Sequence, residues 1–67
     1  MRLSPKRHAI LTMVAQGYTD KEIACRLKVS TRTVQTHIAG IIATLNARNR
    51  TNAVVIYLNS NPKWKII

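Results

Sequence analysis

The segment TDKEIACRLKVSTRTVQTHI, residues 19–38, decides the fold. It opens with a capping box, in which Thr19 can cap a helix and Glu22 follows three residues later. This signal predicts a short helix over residues 20–27, followed by a tight turn. Ser30 then provides a second helix cap. A short helix, a tight turn and a second capped helix together predict a helix-turn-helix.

The second capped helix is predicted to cover residues 31–45. Its apolar residues recur at steps of four, three and four, which places them on one face of a helix. They are Val34, Ile38, Ile41 and Leu45. The opposite face carries short polar residues near the helix start and small residues further along, namely Arg32, Gln35, Thr36, Ala39 and Ala43.

Two further helices flank this pair, over about residues 5–16 and 50–59. Ser4-Pro5 is a cap followed by proline at the first helical position, and Asn61-Pro62 stops the last helix. The expected buried residues are Ile10, Leu11 and Val14 in the first helix, Ile23, Ala24 and Leu27 in the second, and Ala53, Val54, Tyr57 and Leu58 in the fourth. The tail 60–67 is expected to be loosely held, although Trp64 could pack back. The chain is therefore expected to be one all-α domain of four helices, a bundle-like fold that contains a helix-turn-helix.

The charge is the most unusual property of these 67 residues. Eleven Lys and Arg side chains face only Asp20 and Glu22, which gives a formal net charge of +9. A field of that strength on a small domain attracts polyanions. With 46% apolar residues the chain is expected to be globular, and its longest apolar run is far too short for a membrane span.

Several classes of function are disfavoured by the residues. Cys25, His8 and His37 are scattered, so they do not have the spacing of metal ligands. The sequence contains no nucleophile with a neighbouring base, no paired carboxylates and no glycine-rich phosphate loop. We therefore expect neither an enzyme nor a cofactor, metal or small-molecule site.

The exposed face of the third helix has the shape that the DNA major groove requires. The groove is about 12 Å wide and admits one helix, which reads bases near its N-terminus. Ser30, Thr31 and Thr33 could donate to phosphate oxygens and Arg32 adds a charge, while Gln35 could pair with adenine and the Thr36 methyl could touch thymine. For each residue alone, a helix cap or a solvated side chain remains an equal alternative; as a group on a strongly basic chain they indicate DNA binding.

The string VAQGYTDKEIACRLKVSTRTVQTHIAGI closely resembles the LuxR/GerE-type helix-turn-helix, as do LSPKRHAIL before it and LNARNRTNAV after it. The resemblance runs from Leu3 to about Leu58. It implies a four-helix DNA-binding domain of a bacterial or phage transcription regulator, which typically binds two half-sites as a dimer through its fourth helix.

The resemblance also implies roles for individual residues. Ala24 and Val34 would set the angle between the two central helices. Lys21, Ser30, Thr33 and His37 would lie near the DNA backbone, whereas Gln35 and Thr36 would read bases, with Ala39 one turn further on. Gly40 lies in the middle of the helix, and it either permits a close backbone approach or is neutral drift.

The chain also departs from the pattern of the family. Arg7 and Ala9 stand where members usually carry acids, and Thr44 replaces a common basic residue. Either an internal ion pair is lost or Arg7 gains a phosphate contact. The position of Gln35 is very often lysine, so the preferred base could differ.

The fourth helix is apolar on two sides, which predicts a covering partner. A two-fold dimer contact through Asn52, Val55, Ile56 and Asn59 is favoured. The alternative is that the tail, with Trp64 and Ile66, folds over this patch.

The resulting prediction is a cytoplasmic, nucleoid-associated transcription regulator that binds double-stranded DNA as a homodimer. RNA polymerase is a possible further partner. A different hypothesis is an interaction module that pairs with a full-length LuxR-type regulator and blocks or retargets it. A third is that the chain is the C-terminal piece of a two-domain regulator.

Overall fold

A computed structural model describes residues 3–66, and within them it contains four α-helices and no strand. The helices are α1 (Pro5–Ala15), α2 (Asp20–Leu27), α3 (Thr31–Leu45) and α4 (Arg50–Ser60). The predicted all-α fold with a helix-turn-helix is confirmed. Compared with the expected bounds, α1 ends one residue earlier and α4 ends one residue later. The expected tail is described as far as Ile66.

Each helix begins at a side chain that caps its free backbone N–H groups. Ser4, Thr19, Ser30 and Asn49 all accept a hydrogen bond from the backbone N–H three residues further along. At α2 the capping box is complete, because the Glu22 carboxylate also accepts from the Thr19 N–H at 2.9 Å. Since such caps are local, they place the starts of the helices within the sequence without help from the rest of the fold.

The turn between α2 and α3 is closed by the backbone itself. Lys28 adopts the left-handed conformation at φ 57°, and the N–H of Val29 donates to the Ala24 carbonyl at 3.0 Å. This arrangement reverses the chain within a few residues before Ser30 starts α3. Ala24 and Val34 are both buried at the crossing of the two helices.

The core is organised around α3, which packs against all three other helices. Val34, Ile38, Ile41 and Leu45 are buried, as the spacing predicted, and Val34 and Ile41 have no exposed surface. The other helices contribute Ile10, Leu11, Ile23, Ala24, Ala53 and Tyr57, and the segments outside the helices add Leu3 and Trp64.

The expectation for the buried side of α4 is wrong at Leu58. Ala53 and Tyr57 are buried and Val54 is half-buried, but Leu58 is 40% exposed. Leu58 follows Tyr57 by one residue, and consecutive residues on a helix point about 100° apart. Once Tyr57 faces the core, Leu58 is turned toward the surface beside Val55.

The tail does not hang loosely, because Trp64 inserts beside α1 and α4. Only 8% of its surface is exposed, and its indole N–H donates to the Thr12 hydroxyl at 2.9 Å. Its ring lies edge-on to Tyr57, with 4.8 Å between the ring centroids. Further along the tail, the Ile66 carbonyl accepts from the Gln16 amide. The tail therefore joins α1 to α4 and leaves Val55 uncovered.

Replacing Trp64 with alanine is expected to lower the free energy of unfolding by about 3 kcal/mol, because the change empties a buried aromatic site. Chemical denaturation followed by circular dichroism measures this loss. Lys65→Ala is the matched control, since Lys65 is the exposed neighbour in the same tail. Equal unfolding free energies for the two variants would contradict a structural role for Trp64.

Candidate nucleic-acid interface

One face of α3 is solvent-exposed along most of its length, opposite the buried stripe. The exposed residues are Arg32, Gln35, Thr36, Ala39 and Ala43. The long polar side chains lie in the first half of the helix, and alanines occupy the second half. The second half can therefore approach a surface closely, while the first half carries the hydrogen-bonding groups.

The start of α3 concentrates hydrogen-bond donors. The Ser30 hydroxyl accepts from the Thr33 N–H at 3.1 Å and lies 2.9 Å from the Thr33 hydroxyl. One of these two hydroxyls donates to the other, which leaves one O–H free for an external acceptor. Ser30 and Thr31 are exposed and Thr33 is half-buried. Free backbone N–H groups and the positive end of the helix dipole make this end suitable for an anion.

The Thr36 hydroxyl is already engaged within the helix. It donates to the Arg32 carbonyl at 3.0 Å, one turn earlier. The side chain remains exposed, so its methyl group is the part that can contact another molecule.

Three further residues that the sequence singled out flank this face. Lys21 is exposed in the first turn of α2. His37 and Gly40 are half-buried on α3, and Gly40 faces α1. Gly40 is covered there by the side chain of Arg7, which lies across it.

An ion pair joins the first residue of α2 to the first residue of α4. The Arg50 guanidinium donates to the two carboxylate oxygens of Asp20 at 2.6 and 3.1 Å. These hydrogen bonds are the main reason why the pKa of Asp20 lies below its usual value, and partial burial opposes the shift. The charge of Arg50 and the nearby polar amide of Gln35 lower this pKa further. Gln35, the expected base-reading residue, therefore lies close to the ion pair.

The outer face of α4 shows a small apolar patch. Val55 is 49% exposed and Leu58 is 40% exposed, and Asn59 is exposed beside them. Ile56 is half-buried and packs against the core. The Asn52 side chain accepts from the Arg48 N–H at 2.9 Å, so it holds the loop before α4.

Further properties of residues 3–66 concern metal ligands, membrane spans, thiols and clefts. No three His, Cys, Asp or Glu side chains come together as metal ligands would. None of the helices has the length and apolar character that crossing a membrane requires. Cys25 is a free, exposed thiol. An open cleft of about 430 Å³ lies beside the tail, and its lining includes His8, Tyr57 and Trp64.

The sequence did not reveal the contacts between distant parts of the chain. The Asp20–Arg50 pair spans 30 residues and the contact between Arg7 and Thr44 spans 37. Each of these contacts joins two different helices, so the spacing of residues along one helix does not predict it. The docking of Trp64 did have a signal, namely a single tryptophan in a tail that follows a helix rich in apolar residues.

Comparison with known proteins gives a consistent family assignment. Residues 1–57 match the family model described as bacterial regulatory proteins, luxR family. The response regulator protein VraR of Staphylococcus aureus (strain NCTC 8325 / PS 47) is 34% identical to this chain over 59 residues, and so are the proteins of that name from Staphylococcus saprophyticus and Staphylococcus epidermidis. The match covers 88% of this chain but 28% of each relative. The chain thus spans less than a third of the length of these relatives.

The Asp20–Arg50 pair gives a testable dependence of stability on pH. Because the folded-state pKa of Asp20 is lowered, its stabilising contribution is complete above the unfolded-state pKa of about 4 and is lost as the pH falls through the folded-state value. Asp20→Asn should cost on the order of 1 kcal/mol at pH 7, since Arg50 is partly exposed. This difference from the wild type should begin to shrink below about pH 4 and should keep shrinking as the pH falls through the folded-state pKa of Asp20.

Urea unfolding at pH 7, 5 and 3 measures that difference. Glu22→Gln is the control variant, because it removes the other carboxylate of the chain and leaves the ion pair in place. The pKa of Glu22 is also lowered, mainly by the hydrogen bond from the Thr19 backbone N–H. If the Asp20→Asn difference were the same at pH 7 and pH 3, the ion pair would not be the source of the stabilisation.

Proposed function

The chain belongs to the luxR family of bacterial regulatory proteins, a family of DNA-binding transcription regulators, and we propose that it recognises a specific DNA sequence as a homodimer. In this proposal α3 of each copy enters the major groove of one half-site. The observation that carries it is the exposed face of α3, where Arg32, Gln35 and Thr36 precede Ala39 and Ala43. Polar groups near the helix start and small residues behind them suit a helix that lies deep in the groove.

Contacts to the phosphate backbone supply most of the affinity in this proposal. Ser30, Thr31 and Thr33 hold their hydroxyls at the N-terminus of α3, where the helix dipole favours an anion. Lys21 adds a charge from the first turn of α2, and His37 adds a ring nitrogen one turn along α3 from Thr33. A net charge of +9 supports such an electrostatic contribution.

Base readout is assigned to Gln35 and Thr36, with Arg32 as a third reader. A glutamine amide has two N–H donors and one carbonyl acceptor. If one donor turns to the nearby Asp20 carboxylate, the other donor and the carbonyl are still available for the paired contact to adenine. Asp20 would then orient the amide while it binds the base. The Thr36 methyl group would contact thymine, because its hydroxyl is used within α3.

The homodimer is assigned to the outer face of α4. Val55 and Leu58 are one turn apart and form the exposed apolar patch, and Asn59 lies next to it. Ile56 and Asn52 were also expected in this contact, but each would lie at its edge. Ile56 packs against the core, and Asn52 holds the loop before α4. The patch is small, so we expect the two copies to pair stably only when DNA holds both of them.

A regulator of this kind would act on the bacterial nucleoid in the cytoplasm, with RNA polymerase as a possible partner. Whether it acts alone or as part of a longer chain, the same surface of α3 would face the DNA.

Gln35→Ala is expected to weaken binding to the preferred duplex by roughly 1–3 kcal/mol and to relax the preference at one base pair, because the paired contact is lost. Selection from random duplexes followed by sequencing identifies the site and shows the change. Lys21→Ala is the control, because losing a phosphate contact should weaken binding to all sequences alike. If Gln35→Ala selected the same DNA sequences as the wild type, Gln35 would not be a base-reading residue.

Val55→Glu is expected to abolish cooperative binding to a duplex with two half-sites, because a two-fold contact brings the two new charges together. Binding to a single half-site should change little. Gel-shift titrations on the two duplexes measure both effects, with Ser60→Glu adding the same charge at the end of α4. Unchanged cooperativity would place the dimer contact elsewhere. If the isolated chain did not bind duplex DNA but associated with a full-length family member, the interaction-module hypothesis would replace this one.

A further inference from the structure

Arg7 belongs to α1, yet its guanidinium lies on α3. Its Nη1 donates to the Thr44 hydroxyl at 3.3 Å. Beneath the guanidinium lies Gly40, where a Cβ atom would sit only 2.8 Å from the Arg7 Cζ. The absence of a side chain at Gly40 therefore provides the space that the guanidinium occupies. Arg7, Gly40 and Thr44 form one contact group, which we name the Arg7 cluster.

Within residues 3–66, the positive charge of the Arg7 cluster has no carboxylate partner. The sequence contains two acidic residues, and both are engaged on α2. Asp20 binds the Arg50 guanidinium, and Glu22 closes the capping box with Thr19. Thr44 is neutral, so its hydrogen bond orients the guanidinium without neutralising it.

The Arg7 cluster lies along the side of α3 that carries proposed phosphate contacts. Positions 33, 37, 40 and 44 recur at steps of four, three and four, so they share one side of the helix. Thr33 and His37 occupy the N-terminal half of that side, and Gly40 and Thr44 continue it toward the C-terminus. The guanidinium of Arg7 thus extends this row where α3 itself has no cation.

A guanidinium suits this position chemically. It carries five N–H donors, of which the hydrogen bond to Thr44 uses one, and it stays charged at any physiological pH. Its planar fork matches the oxygens of a phosphate group. Arg7 is half-buried, so much of its side chain is already ordered before any ligand binds.

We propose that Arg7 binds a DNA backbone phosphate from α1, and that Gly40 and Thr44 position its guanidinium beside the recognition helix. This inference rests on the proposed function and adds a contact from outside the helix-turn-helix. It predicts a binding footprint that continues past the reading residues, along the flank of the C-terminal half of α3.

Arg7→Gln tests the contact directly. Losing one phosphate contact should weaken binding about fivefold to tenfold near 0.1 M salt, and it should reduce the slope of log affinity against log salt by roughly 0.9. The loss should be similar on the selected duplex and on a random duplex, because a phosphate carries no sequence information. Lys65→Gln removes the same charge from the exposed tail and should change the slope far less. Equal changes in slope for the two variants would overturn the proposal.

Gly40→Ala tests the positioning role. The added Cβ would displace the Arg7 guanidinium, while alanine favours the helix over glycine, so the fold is expected to be kept. Thermal unfolding of each variant checks this. The substitution should weaken DNA binding in the wild-type background and have little effect once Arg7→Gln is present. An equal loss in both backgrounds would mean that Gly40 acts through its own approach to the DNA, and would overturn the positioning role.

The outcomes separate this inference from the proposed function. If the wild-type chain showed no salt-dependent binding to any duplex, both would fail. If the wild type bound in a salt-dependent manner while Arg7→Gln kept its affinity and slope, the assignment of Arg7 alone would fail.

Discussion

The structure depends on the burial of one stripe of α3, formed by Val34, Ile38, Ile41 and Leu45. All three other helices pack against this helix, so it is the centre of a small core. In a chain of 67 residues the same helix must also supply the recognition surface. Because both faces belong to one rigid element, the depth and rotation of the reading face are fixed by the packing behind it. A change in the volume of Val34 or Ile38 would therefore alter the position of Gln35 and Thr36 as well as the stability.

The sequence predicts this arrangement well because its main signals are local. A capping residue satisfies N–H groups within its own first turn, and an apolar stripe is defined by spacing along a single helix. The helix starts at residues 5, 20, 31 and 50 follow from caps that can be recognised without knowing the fold. Such local signals did not predict which side chains at the end of α4 point into the core. Tyr57 and Leu58 are both largely apolar, and in the fold it is Tyr57 that faces inward, where it packs against Trp64.

The candidate site was less predictable than the fold, because its electrostatics join residues from different helices. Gln35 could be singled out from its place on α3, but its position near the Asp20–Arg50 pair exists only once α2, α3 and α4 are packed together. Arg7 was recognised as a departure from the pattern of the family, with two opposite explanations left open. In the structure Arg7 passes over Gly40 and binds Thr44, so these three unusual residues are in contact. The contact forms only when α1 and α3 are packed together.

The distribution of the two acids shows how a strongly basic chain can tolerate a carboxylate beside a proposed DNA surface. An unpaired Asp20 near Gln35 would repel a phosphate backbone, but Arg50 binds both of its oxygens and neutralises it. The pair also joins the start of α4 to the start of α2, next to the amide of Gln35. In the proposed dimer, α4 would therefore carry one partner of an ion pair whose other partner lies close to the base-reading residue. A shift of α4 on pairing would move Arg50 and Asp20 beside the Gln35 amide, so the geometry of the dimer and the choice of base would not be independent.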